Sequence, residues 1–194
     1  MKPKIECDNL FPQRVWKTDL DLDCKELEKF VYDLEKENPK GVIKSNAKGW
    51  QSRGLCTNDY TDEIYQNLIQ NLDRVVNTCA ESSKIPRLAI GNLWFNINRG
   101  YNFNRPHTHP KSVLSGAFYI KAEGNEGAIE FLREDNAVNF LPEIRESSFY
   151  LSASMKYSPK VNRLLVFGSW MPHWVEPNIS KFDRISMSFN THVI

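Results

Sequence analysis

Three of the four histidines in this 194-residue chain are spaced so that they could hold a metal ion. His107 and His109 stand one residue apart in Arg105-Pro106-His107-Thr108-His109-Pro110, and His173 follows far downstream in Trp170-Met171-Pro172-His173. On a β-strand the side chains at i and i+2 leave from the same face, so both near imidazoles can point at one atom. Imidazole nitrogen suits iron, zinc, copper and nickel, and three protein ligands leave positions open for water or substrate, the mark of a catalytic site. For this to happen, residues 107 and 173 must become neighbours in a folded sheet. His192 stands apart from the others and reads as an exposed side chain.

A second chemical signal lies in Arg184-Ile185-Ser186-Met187-Ser188-Phe189-Asn190. Alternation puts Arg184, Ser186 and Ser188 on one face and Ile185, Met187 and Phe189 on the other. If the apolar set packs outward against helices, the arginine faces inward and must find an anion, because an unpaired buried charge is very costly. Its planar fork matches a carboxylate bidentately, as a dicarboxylate cosubstrate would offer.

The elements that must position these groups fall into two textures. Before residue 86 the chain is helical: Asp23 and Glu26 have capping-box spacing, and Leu27, Phe30, Val31 and Leu34 form one stripe of a helix of about 14 residues that ends at Asn38-Pro39-Lys40-Gly41. Leu10-Phe11-Pro12 begins an extended lead-in segment, and residues 42–60 read as a loop with a short extended piece. A second helix starts near Thr61, with Ile64, Leu68, Leu72, Val75, Val76 and Cys79 on one face. From Pro86 onward, Leu88–Asn98, Leu114–Ala122, Ala128–Leu132, Leu164–Phe167 and Arg184–Asn190 are strand-like. Helices segregated from strands predict a β-sandwich or barrel carrying a helical layer. Residues 133–160 are the least regular part, of a length that often forms a lid or substrate wall.

Composition limits the function. Lysine and arginine total 25 against 24 acids, a formal charge of +1, and no basic stripe argues for nucleic acid. The apolar runs are a few residues long, too short for a membrane span, and the first residues lack the apolar core of a secretory signal. The expectation is a cytosolic protein. Cys7, Cys24, Cys56 and Cys79 are widely spaced without a Cys-x-x-Cys and read as reduced thiols, with Cys79 buried on a helix.

Taken together, a His-x-His pair, a distal His 64 residues after His109, and an Arg-x-Ser whose arginine lies 11 residues beyond the distal His resemble the iron(II)- and 2-oxoglutarate-dependent oxygenases. The likeness is closer to a small group of that superfamily found in bacterial and phage genomes. It is carried by Asn92-Leu93-Trp94-Phe95-Asn96, His107-Thr108-His109-Pro110, Ser115-Gly116-Ala117-Phe118-Tyr119, Phe167-Gly168-Ser169-Trp170 and Arg184 through Asn190, with looser support from Leu10-Phe11-Pro12 and Gly49-Trp50-Gln51-Ser52. The resemblance implies a double-stranded β-helix, a jelly-roll or cupin-like barrel with a helical layer, in a single domain of residues 1–194. Residues 1–85 would give helical support and lead-in strands, and residues 86–194 the catalytic core. It further implies Fe(II) held by His107 and His173, and 2-oxoglutarate held at its distal carboxylate by Arg184 and Ser186, with Tyr119 and Asn96 as further contacts.

One departure matters. Most of the superfamily carries an acid at the second position of the motif, where this chain has His109. Three arrangements are open: His109 is the third ligand, a carboxylate from elsewhere such as Asp135 replaces it, or metal binds without normal turnover. Strand parity favours His109. The implied reaction uses O2 and 2-oxoglutarate to hydroxylate a C–H bond, releasing succinate, on a small-molecule or peptidyl substrate, with Trp94, Phe118 and Trp170 as apolar walls unless they are plain core, the reading their type favours. The alternatives are a cupin-like three-histidine dioxygenase indifferent to 2-oxoglutarate, and a non-catalytic metal-binding barrel. Oligomeric state is not written in these residues.

Overall fold

The computed structural model describes residues 3–135 and 152–194. The described residues are mainly β, with two helices and two antiparallel sheets. In chain order the elements are β1 (Val15–Asp19), α1 (Cys24–Glu37), β2 (Asn46–Ala47), β3 (Trp50–Gln51), α2 (Glu63–Ser82), β4 (Leu88–Asn98), β5 (Phe103–His107), β6 (Leu114–Lys121), β7 (Ile129–Leu132), β8 (Ser154–Tyr157), β9 (Arg163–Gly168), β10 (His173–Val175) and β11 (Arg184–Val193). One sheet has six strands in the order β1-β9-β6-β11-β4-β3, the other five in the order β2-β5-β10-β7-β8. None of the described helices is long and apolar enough to cross a membrane.

Both helices form where their sequence signals lie. At the start of α1 the Asp23 Oδ1 accepts from the backbone N–H groups of Lys25 and Glu26 at 2.9 and 3.0 Å, satisfying two amides that no helical carbonyl can reach. Leu27 and Val31 of α1, with Leu68, Leu72 and Val76 of α2, are fully buried. They pack on the large sheet, where Leu93, Phe95 and Ile97 of β4 and Ile185, Met187 and Phe189 of β11 meet them in one continuous core. All four cysteines are free, Cys24 and Cys79 buried.

The other face of the same strands supplies the interior between the sheets. Directly opposed residues of an antiparallel pair share a face, so the register builds polar rungs across β4, β11 and β6. Asn98 opposes Arg184; Asn96 opposes Ser186, which opposes Tyr119; Trp94 opposes Ser188, which opposes Ala117. A second, smaller core of Tyr119, Ile129, Phe131, Leu165, Phe167 and Met171 closes the space between the sheets. The alternation of residues 184–189 thus falls as expected.

Several elements were not foreseen. β1 and β10 are short, β5 contains Pro106, and β8 emerges within the stretch read as irregular. Proline at position 106 sits near the end of β5. Residues 136–151, the centre of the expected lid or wall, lie outside the described residues.

Candidate metal and cosubstrate site

The expected meeting of residues 107 and 173 is a strand register: His173, the first residue of β10, pairs with His107, the last of β5. His109 lies two residues beyond the end of β5, so strand parity does not place it. Its backbone N–H donates instead to the Ser169 carbonyl at 2.9 Å. The three imidazoles nevertheless converge, with ring centres 4.5 to 5.1 Å apart and one ligand atom from each within 4.8 Å of the others.

The hydrogen bonds around the rings decide which nitrogens face inward. His107 Nδ1 donates to the Arg105 carbonyl at 2.7 Å, and His173 Nδ1 to the Met171 carbonyl at 2.9 Å. A carbonyl can only accept, so in this geometry both rings carry their proton on Nδ1 and present a bare Nε2. This is the orienting contact that metal-binding histidines require. His109 Nε2 stands 3.3 Å from His173 Nε2. Two imidazole nitrogens each about 2.1 Å from one ion would be about 3.0 Å apart at a right angle and about 3.4 Å apart at the tetrahedral angle. The donor set therefore fits a transition-metal ion.

Burial keeps the set neutral. It lowers the imidazolium pKa of His109 to about 3, helped by charge repulsion from both other rings, and that of His173 to about 4, helped by repulsion from His107, and it lowers that of His107 in the same direction. Neutral imidazole is the ligating form. Among the described residues no carboxylate joins the cluster. Asp135, the speculative substitute, is exposed and paired with Arg133 at 2.6 Å.

The histidines open on a narrow cavity of about 40 Å3. Asn96, Tyr119, Arg184 and Ser186 all line it, as the sequence led us to expect, with Ser188 on the same inward face, and so do Ser45, Asn98 and Asn104, which were not singled out. Asn98 continues the alternation of Asn96 and was readable from it. Ser45 and Asn104 come from β5 and the loop before β2 and carried no signal. Of the three aromatics read as apolar walls or plain core, one is core and one is neither. Phe118 is fully buried on the helix side, because it neighbours Tyr119 and must face the opposite way, and Trp170 is 53% exposed with its indole N–H donating to Gln13. Trp94 does line the cavity, beside His109. His192 is exposed.

At the end of the cavity formed by the Asn98 rung lies Arg184, 2% exposed. Its Nη1 donates to three backbone carbonyls, those of Glu126, Gly127 at 2.8 Å and Glu176 at 3.4 Å. Gly127 is needed for this cradle: its φ is +86°, and a Cβ there would stand 2.4 Å from the Glu176 carbonyl oxygen. Among the described residues, Arg184 is the one cation in the cavity lining, and no carboxylate lines it. Burial pushes the guanidinium pKa down while Tyr119, Glu126 and Glu176 draw it up, and burial holds the Tyr119 hydroxyl up at about 12. Asn96 Oδ1 is buried with no hydrogen-bond partner.

Known proteins agree with this geometry. The family described as "Putative 2OG-Fe(II) oxygenase" matches residues 92–190, just over half of the chain. No curated protein gives a significant match. Among solved structures, a Pseudomonas putida prolyl-4-hydroxylase shares 13% identity over 93% of this chain and 92% of its own, with a TM-score of 0.68. The viral collagen prolyl hydroxylase of Paramecium Bursaria Chlorella virus-1, solved with 2-oxoglutarate, shares 12% over 93% and 96%, at 0.62. HygX from Streptomyces hygroscopicus, solved with nickel, 2-oxoglutarate and hygromycin B, shares 9% over 92% and 82%, at 0.64. At such identities the likeness concerns the fold, and neither a keto-acid-independent dioxygenase nor a non-catalytic barrel is favoured. With its family match spanning all three histidines and Arg184, the chain belongs to the 2-oxoglutarate- and iron(II)-dependent oxygenases.

Proposed function

We propose that His107, His109 and His173 hold Fe(II), and that Arg184, Ser186, Tyr119 and Asn96 hold 2-oxoglutarate. The observation that carries this reading is the pairing, within one cavity, of three inward Nε2 atoms with a buried arginine that has no carboxylate partner among the described residues. The two sheets are read as a double-stranded β-helix of the jelly-roll type, and residues 1–194 as a single domain. In that domain residues 1–85 support the core, although β1, β2 and β3 also extend its sheets.

The chain's own groups divide the work. Arg184 binds the distal carboxylate with the nitrogens its carbonyl cradle leaves over, and Ser186 and the Tyr119 hydroxyl stand on the adjoining rung. Asn96 supports the same reading through its orphaned oxygen, since an unmet buried polar atom costs about 1–3 kcal/mol. Its Nδ2 lies 3.4 Å from Ser188 Oγ; exchanging the amide's O and N lets that hydroxyl donate to Oδ1 and turns the NH2 toward the cavity and an acceptor. Trp94 and Phe167 flank the histidines and exclude water. Bound iron supplies O2 activation coupled to conversion of 2-oxoglutarate into succinate and CO2, with hydroxylation of a C–H bond. The substrate is read as a small molecule or a peptidyl side chain, in keeping with structural neighbours named for prolyl hydroxylation and one holding hygromycin B.

The test is anaerobic titration of the Fe(II)-loaded protein with 2-oxoglutarate, following the visible charge-transfer band of keto-acid chelation. A band in wild type that needs on the order of 100-fold more cosubstrate in Arg184→Ala is the expected result, since truncating one side of a buried charge pair costs about 2–5 kcal/mol. Iron-loaded protein without the band would sink the assignment.

A further inference from the structure

Three motif residues that the chemistry above leaves unused meet behind His109. Ser115 opens Ser115-Gly116-Ala117-Phe118-Tyr119, Asn190 closes the run from Arg184, and Ser169 follows Phe167-Gly168. Ser115 and Asn190 are register partners on β6 and β11. Ser115 Oγ donates to Asn190 Oδ1 at 2.7 Å and lies 2.7 Å from Ser169 Oγ. A hydroxyl has one proton, so with Ser115 committed to the amide oxygen, the Ser169 hydroxyl must donate to Ser115. The result is a directed chain, Ser169 to Ser115 to Asn190, with both serines 1% exposed. The backbone of Ser169 is fixed as well: its N–H donates to the Val113 carbonyl at 3.1 Å, and its own carbonyl receives the His109 N–H.

His107 and His173 are positioned by the β5–β10 ladder, but His109 lies beyond it. We infer that Ser115, Ser169 and Asn190 are positioning residues for His109, locking the Ser169 peptide whose carbonyl sets where the third imidazole points. This rests on the reading of His109 as a metal ligand.

Cobalt(II) is the probe, because its visible absorption reports coordination without turnover. The metal-free chain is titrated anaerobically in wild type, Ser115→Ala, Ser169→Ala, His107→Ala, His109→Ala and His173→Ala. Ser115→Ala and Ser169→Ala are expected to weaken cobalt binding about 10- to 100-fold and to move the band toward that of His109→Ala. The structural control is Thr191→Val, which removes a hydroxyl bonded to both the N–H and the carbonyl of Leu114 in the same turn. It should lower the unfolding midpoint yet keep the wild-type band.

Wild-type affinity and band in both serine variants, with the histidine variants impaired, would overturn the positioning role and leave the metal site standing. A Thr191→Val band displaced like theirs would overturn it too, by making the effect merely structural. Wild-type binding in His107→Ala and His173→Ala would remove the metal reading, and this inference with it. Should Ser115→Ala fail to fold, Asn190→Ala, at a half-buried position, makes the same comparison.

Discussion

The two ends of the cavity use the same device for opposite purposes. At one end, backbone carbonyls of Arg105 and Met171 take the Nδ1 protons of His107 and His173 and leave neutral nitrogens facing inward. At the other, the carbonyls of Glu126, Gly127 and Glu176 take the protons of one Arg184 nitrogen and leave a positive charge facing inward. Neither end is held by a carboxylate among the described residues. A carbonyl orients a donor without cancelling its charge, so the cavity keeps its full appetite for a dianion. With an acid at position 109, part of that appetite would already be met.

The comparison can be broken most severely at the histidine end. His173→Ala should lower metal affinity by more than the about 100-fold that loss of an orienting neighbour costs, and abolish succinate formation, while leaving the fold intact by circular dichroism. The comparison is sharpened by His109→Asp, which introduces a compensating charge. Metal should then bind more tightly without 2-oxoglutarate, and the coupling between the two ligands, about 1–3 kcal/mol in typical linked systems, should shrink when both are titrated by calorimetry. At the arginine end, Gly127→Ala forces a side chain into positive φ against the Glu176 carbonyl and should cost about 1–3 kcal/mol of stability while raising the 2-oxoglutarate concentration needed for half-saturation.

A further expected effect is on acid stability. In metal-free protein the folded imidazoles titrate far below their ordinary value of 6.5, at about 3 for His109 and about 4 for His173. The unfolded chain therefore takes up protons first, so the stability present above pH 6.5 falls progressively as pH drops toward 4. Urea midpoints of the metal-free protein at pH 7 and pH 5 check this; an equal or higher midpoint at pH 5 would contradict it.

Much of this was legible in the sequence where periodicity was strong. Leu88–Asn98 was read with the bounds β4 has, and the alternation of residues 184–189 gave both the buried apolar face and the inward arginine. The same rule, applied to neighbours, would have excluded Phe118 from the cavity once Tyr119 was placed there. His109 reached the cluster for a reason parity did not contain, because β5 stops at His107 and a contact with a residue 60 positions away takes over. The carbonyl cradle of Arg184 was not readable at all, since backbone acceptors are the same in every sequence and only the fold selects which three converge. Short strands such as β10 and β1, of three and five residues, are too brief to show a period.

Placing Arg184 at the end of the cavity remote from the histidines also bears on how a catalytic cycle finishes. On the proposed reading, succinate keeps the terminal carboxylate that 2-oxoglutarate would present there, so the arginine would grip product as firmly as cosubstrate. Discrimination would fall to the histidine end, where a keto acid would close a five-membered chelate that succinate, lacking the keto oxygen, would not. Product release would then be governed by how loosely the far end lets go, and succinate would act as a competitive inhibitor whose strength measures the arginine's share of binding.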